Sequence, residues 1–179
     1  MDFFKTVEDR RSMRKYTGIP VEEEKLHKIL ETANKAPSAG NLQGYEIYIV
    51  RKLEQRQALV KAAWDQEFLA EAPVVLVFCA DPARSAVKYG ERGATLYAIQ
   101  DATIACAYSQ LAAKAQGLDT VWVGAFDTPT VARLLESPPR LIPVAMLPVG
   151  APGETPAARP RKPLRELLED PAPDFLEGP

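Results

Sequence analysis

From Ala94 to about Gln116 the sequence runs through roughly six helical turns with only two charged residues, Asp101 and Lys114. Thr95-Leu96-Tyr97-Ala98-Ile99 and Ile104-Ala105-Cys106-Ala107-Tyr108 leave no continuous polar face, and a helix apolar nearly all round is expected to be buried all round. At ~1.5 Å per residue it spans about 33 Å, the width of a small domain. In a chain of 179 residues such a helix belongs at the centre of the core, with length enough to pack across a subunit boundary as well. Gly117 ends it.

The flanking segments supply the layers around it. Tyr45–Val50 alternates with period two, and Val74–Phe78 is a continuous apolar run of the kind covered on both faces. Asp119–Phe126 and Leu141–Gly150 read as two further strands. Helices are predicted from Phe3 to about Val7 behind an Asp2 cap, over 21–35 on the spacing of Leu26, Ile29, Leu30 and Ala33, over 53–64, over 128–135 behind Pro129, and over 164–169. Residues 81–93 read as a polar connection. With no internal repeat, residues 1–170 form one domain and 171–179 a proline-rich C-terminal tail.

Arg10-Arg11-Ser12-Met13-Arg14-Lys15-Tyr16 concentrates cations and a hydroxyl just after the first helix. Such a cluster suits an anion; its alternative is solvated surface or a nucleic-acid arm. A net charge of -2 and a pI near 5.6 oppose nucleic-acid binding, which needs a broad positive face. Arg159 and Arg161 form a second cluster, alternating in an extended segment, and guanidinium forks suit phosphate. Whether the two clusters meet depends on the fold bringing the termini together. The N-terminal residues carry no apolar signal region and the apolar runs are strand-length, so a soluble cytoplasmic protein without membrane partners is expected.

Hydrolytic chemistry is poorly supported: there is no nucleophile elbow, no phosphate-binding glycine loop, and a single histidine, His27, amid the charges of a predicted helix. Cys79 and Cys106 lie in apolar stretches without metal-ligand spacing and read as buried free thiols. No metal site is expected, and no side chain stands out as catalytic. A bound cofactor would then carry the chemistry, with the protein supplying orientation and electrostatics. Pro37-Ser38-Ala39-Gly40-Asn41-Leu42-Gln43-Gly44 is either a plain turn or a ligand-contacting loop, and Gly124-Ala125 would let a planar ligand approach the backbone.

The cluster at Arg10–Tyr16, the loop Pro37–Gln43, the run from Gly117-Leu118 to Trp122-Val123-Gly124-Ala125-Phe126, and Arg159-Pro160-Arg161-Lys162-Pro163-Leu164, in this order, resemble the nitroreductase family of FMN-dependent oxidoreductases over residues 3 to 168. The resemblance implies an α+β fold with a mixed, mostly antiparallel central sheet flanked by helices, built as an intertwined homodimer with FMN at the subunit interface. It implies that Arg10, Ser12, Arg159 and Arg161 hold the FMN phosphate and ribityl region, that Arg11 assists through main chain or side chain, and that Arg14 lies near the N1/O2 edge of the ring. Pro37, Ser38, Ala39 and Asn41 would reach the ring from the second subunit, with Gln43 supporting the loop. Gly124 and Ala125 would offer backbone groups to N5 and O4, and Gln66 is a candidate for the O2/N3 edge. The implied activity takes hydride from NADH or NADPH onto flavin N5 and passes it to a nitroaromatic, quinone or similar small-molecule acceptor. Alternatives are a flavoprotein of the same fold with other chemistry, such as dehalogenation or flavin fragmentation, and a non-enzymatic FMN-binding module. The link over 81–93 is shorter than in larger members, which leaves the acceptor open, and no residue diagnoses NADPH over NADH.

Overall fold

The computed structural model describes residues 2–169; the proline-rich tail expected over 171–179 lies outside the described residues. Its helices are α1 (Phe3–Asp9), α2 (Glu23–Asn34), α3 (Leu53–Ala62), α4 (Phe68–Glu71), α5 (Pro82–Arg92), α6 (Ala98–Ala115) and α7 (Thr128–Leu134). The strands are β1 (Tyr45–Val50), β2 (Val74–Ala80), β3 (Asp119–Thr120) and β4 (Ile142–Gly150). They form one sheet in the order β1-β2-β4-β3, every named pair antiparallel. An isolated parallel bridge between Ser12 and Thr120 adds the mixed character that the sequence led one to expect.

β2 is buried along its whole length because its two faces serve two cores. Val74, Leu76 and Phe78 pack with Leu26 and Ile29 of α2 and Ala98, Ala102 and Ala105 of α6. Val75, Val77 and Cys79 pack with Leu59 and Val60 of α3 and Val131 of α7. Period-two alternation within a wholly apolar strand thus assigns each residue to one layer or the other.

Two prolines edit the sheet. The residue pairs Thr120↔Val149 and Val123↔Met146 lie in one register, and Met146 N–H donates to Val123 O at 2.9 Å. Two residues further along β4, Pro148 turns its nitrogen to the same side with no hydrogen to donate, so the ladder opaquely begun at Asp119 is interrupted opposite Val121. This corrects the expected strand over 119–126: only Asp119–Thr120 and the Val123 bridge pair. On the other side, Pro143 faces β2 where the register shifts between Phe78 and Cys79.

Three further expectations change. Residues 81–93 are not a connection but α5, which Asp81 caps by accepting from Arg84 N–H at 3.1 Å, with Pro82 in the first turn. Only Ser85 of this helix is buried, and its short apolar stripe, Ala83, Ala86 and Val87, is left uncovered by the chain, Val87 being 86% exposed. The long apolar helix is divided: Gly93–Tyr97 forms a π-helical turn, and α6 follows. Ala98, Asp101, Ala102, Ala105, Cys106, Ser109 and Ala113 are buried at helical spacing, whereas Ile99 and Tyr108 are each 38% exposed. Within one chain, then, burial is one-sided. The helix predicted over 164–169 is a single 3-10 turn, Leu164–Glu166.

Candidate functional site

The two basic clusters meet because the chain leaving β4 returns along the N-terminal segment. Tyr16 and Pro152 form an antiparallel bridge, Thr17 N–H donates to Ala151 O at 3.2 Å, and Gly153 N–H donates to Lys15 O at 2.8 Å. Met13, buried, donates its N–H to Thr120 O at 3.0 Å. The Tyr16 hydroxyl, also buried, donates within reach of Met13 O (3.0 Å) and Pro148 O (3.3 Å), and burial pushes its pKa up. Met13 and Tyr16 are thereby anchored inward, while Arg14 and Lys15 between them are exposed.

Arg10, Arg11, Ser12, Arg14, Arg159 and Arg161 consequently line one cleft of about 940 Å³, together with Glu8 and Glu154. Burial, then the nearby charges of Arg161 and Arg11, hold the Arg10 guanidinium below its ordinary pKa. Among the described residues, no ion pair involves Arg10, Arg14, Arg159 or Arg161. Like charges gathered without ion-pair partners repel one another, and an anion in the cleft would offset that repulsion, with the Glu8 and Glu154 carboxylates in the same lining. Arg11 differs from the others: its guanidinium donates to the carbonyls of Glu8 and, at 3.0 Å, Arg10, at the C-terminal end of α1. Both bonds come from Nη1, which leaves Nε, Nη2 and the main chain for other partners. Glu154, which the sequence did not single out, accepts from Arg14 N–H at 2.9 Å and ties the post-β4 segment to the cluster.

Gln66 and Ala125 are joined directly. Gln66 Nε2 donates to Ala125 O at 2.9 Å and to Ala63 O at 3.0 Å. Gln66 follows Trp64 and Asp65, two non-glycine residues at φ 53° and 61°, a left-handed pair that costs strain and marks an over-determined turn. Gly124 and Ala125 are both exposed.

Pro37, Ser38, Ala39, Asn41 and Gln43 are brought together in a second place and do not line the basic cleft of their own chain. Ser38 Oγ accepts from Gln43 N–H (3.0 Å) and Nε2 (3.2 Å), and Gln43 Nε2 donates to Asn41 Oδ1 (2.6 Å). The loop is fastened to α6 by Asp101, the lone acid of that helix and the signal by which it could have been noticed. Cys79 and Cys106 are buried free thiols, as expected; burial, with Glu46 adding to it, pushes the Cys79 thiol up to about 12. No helix among the described residues is long and apolar enough to cross a membrane.

Residues 7–67 and 61–151 match the model of the nitroreductase family. The FMN reductase [NAD(P)H] of Bacillus subtilis is 32% identical over 175 residues, covering 90% of this chain and 70% of its own. An NADH dehydrogenase of Thermus thermophilus is 33% identical over 186 residues, covering 89% of this chain and 91% of its own. Among solved structures, NfrA2 of B. megaterium superposes with a TM-score of 0.89 at 30% identity over 98% of this chain and 78% of the other. The NADPH:FMN oxidoreductase of Vibrio harveyi, complexed with NAD+, gives 0.87 at 28% identity over 95% and 77%.

Proposed function

Because the chain belongs to the nitroreductase family, we infer that it is an NAD(P)H-dependent FMN oxidoreductase that passes electrons to a small-molecule acceptor. The observation that carries the reading is the cleft in which Arg10, Ser12, Arg159 and Arg161 converge from opposite ends of the sequence. Unpaired guanidiniums and a hydroxyl in a cleft of this size fit the phosphate and ribityl chain of FMN, so the residues present suit the group. Bound FMN would supply a hydride acceptor at N5 that no side chain of this protein offers.

The chain's own residues bind and orient. Arg10, Arg159 and Arg161 neutralise the phosphate, Ser12 donates to it, and Arg11 assists through main chain or side chain. Arg14 sets a fixed cation toward the N1/O2 edge, where it favours negative charge on the ring. Gly124 and Ala125 present backbone toward N5 and O4, with Gln66 holding the Ala125 carbonyl. Ser38, Ala39 and Asn41, which lie apart from the cleft of their own chain, complete the site of a second copy.

That arrangement requires a homodimer. Phe3 (62% exposed), Phe4 (77%) and Tyr108 leave an apolar face over α1 and α6, beside a cavity of about 500 Å³ lined by Phe3, Tyr108, Leu111 and Ala112. An exposed face of this kind supports association. The test of function is an absorption spectrum of the purified protein. Flavin bands that bleach with NADH or NADPH and return with a quinone or nitroaromatic are expected; a colourless protein that takes up no added FMN overturns the reading.

A further inference from the structure

Asp101 is 2% exposed and, among the described residues, belongs to no ion pair. A buried acid without a cation must be stabilised by hydrogen bonds. Here each oxygen takes one. Oδ1 accepts from Ala39 N–H at 2.9 Å and Oδ2 from Gly44 N–H at 3.1 Å, so the carboxylate grips both ends of a single loop. Gly44 is docked tightly against it: a Cβ there would lie 3.0 Å from Asp101 Oδ2 and 2.2 Å from Ser85 Oγ, a buried hydroxyl that itself lacks a partner.

Between the two grips the backbone is strained. Gly40, Asn41 and Gln43 all have positive φ, at 58°, 58° and 43°, and two of the three carry side chains. Such conformations persist only where the surroundings impose them. Yet Pro37, Gly40 and Asn41 are exposed, so the strain is not the by-product of core packing. A strained, outward-facing loop clamped from beneath is organised for something that lands on it.

We propose that Asp101 is a positioning residue, which holds the Ala39–Gly44 loop in the one conformation that can meet the flavin. The assignment rests on the reading of Ser38, Ala39 and Asn41 as ring contacts. Asp101 touches neither cofactor nor acceptor; it acts through two backbone amides. Asn in its place keeps the shape and one acceptor oxygen but aims an NH2 at the other amide, so one grip is lost and a donor faces a donor.

In the FMN-loaded protein, hydrogen exchange at the Ala39 and Gly44 amides is expected to be slow. Asp101→Asn is expected to speed one of them about tenfold or more, leave the amides of the rest of α6 unchanged, weaken FMN binding about tenfold and shift the flavin absorption band. Gly44→Ala, which pushes the backbone off an intact Asp101, reproduces these changes and serves if Asp101→Asn does not fold. Fast exchange of both amides in the unmodified protein overturns the proposal. So does faster exchange in the variants with FMN affinity and spectrum unaltered, which would make the clamp merely structural. Ser38→Ala and Asn41→Ala separate the two readings: if they too leave FMN affinity and spectrum unchanged, the loop does not meet the flavin; if they alter both while Asp101→Asn does not, only the positioning role fails.

Discussion

Burial lowers the Arg10 pKa, and the nearby charges of Arg161 and Arg11 lower it further. Removing the Arg10 or the Arg161 guanidinium relieves repulsion in the empty cleft but takes a charge-assisted contact from a bound phosphate. Arg161→Ala is therefore expected to weaken FMN affinity by about 10- to 150-fold, the equivalent of roughly 1.5 to 3 kcal/mol, with little change in melting temperature; fluorescence titration of apoprotein reads the first and calorimetry the second. Arg14→Ala should lower the flavin reduction potential more than it lowers FMN affinity, because the cation acts on charge at the ring edge; an unchanged potential with FMN still bound would remove that role. Cys79 offers a pH test. Its thiol, raised from 9.0 to about 12, is neutral in the fold at pH values where the unfolded chain ionises, so its contribution to stability is complete below about pH 9 and is lost as pH rises from 9 toward 12. Thermal unfolding between pH 8 and 11 should show the decline, and the thiol should stay unreactive to disulfide reagents at pH 8 until the protein is denatured. The basic residues and the small-residue loop were legible because their chemistry is local. Glu154 and the partners of Asp101 were not, since contacts spanning 140, 62 and 57 positions leave no pattern along the chain.

Elements were legible where apolar spacing carried them. α2, α3, α7, β1, β2 and β4 follow from period and propensity, because each buries apolar residues in one or both of the two cores. α5 escaped because its stability comes from the Asp81 cap, Pro82 and its junction with the π-helical turn rather than from a buried face. That junction is tight: a Cβ on Gly93 would lie 2.4 Å from Ser85 O and 2.9 Å from Tyr89 Cβ. Gly93→Ala should destabilise the protein by about 1 to 3 kcal/mol through overpacking, measurable by urea unfolding, whereas a neutral outcome would mean that α5 and the turn can separate at little cost. The strand expected through Phe126 stops early for a reason written in a different segment, since Pro148 withholds the hydrogen that Val121 would have accepted. Once freed from the ladder, the chain at Gly124-Ala125 is exposed beside Gln66, where a backbone site is useful.

At the scale of the whole molecule, the second copy we propose would cover both the open side of α6 and the exposed Phe3 and Phe4. Phe4→Glu should raise the dimer dissociation constant at least about tenfold, since burying a phenylalanine contributes about 1.5 to 3 kcal/mol, and light scattering on dilution would show it; a stable monomer with FMN bound in the unmodified protein would contradict a shared site. What this sequence determined by itself was the set of pieces and their chemistry: an apolar helix too poor in polar residues to stand in water, strands with two-faced patterning, cations too concentrated to be incidental, and an order of motifs that marks the family. Those properties arise from neighbours along the chain, within a few residues of one another. Only the tertiary structure decided that Lys15–Thr17 and Ala151–Gly153 pair, so that arginines about 150 positions apart enclose one cleft, and that Asp101 anchors a loop far from it in sequence. Closure of a chain on itself is set by which backbone groups find partners and which buried charges must be satisfied, and those are decided by packing in three dimensions.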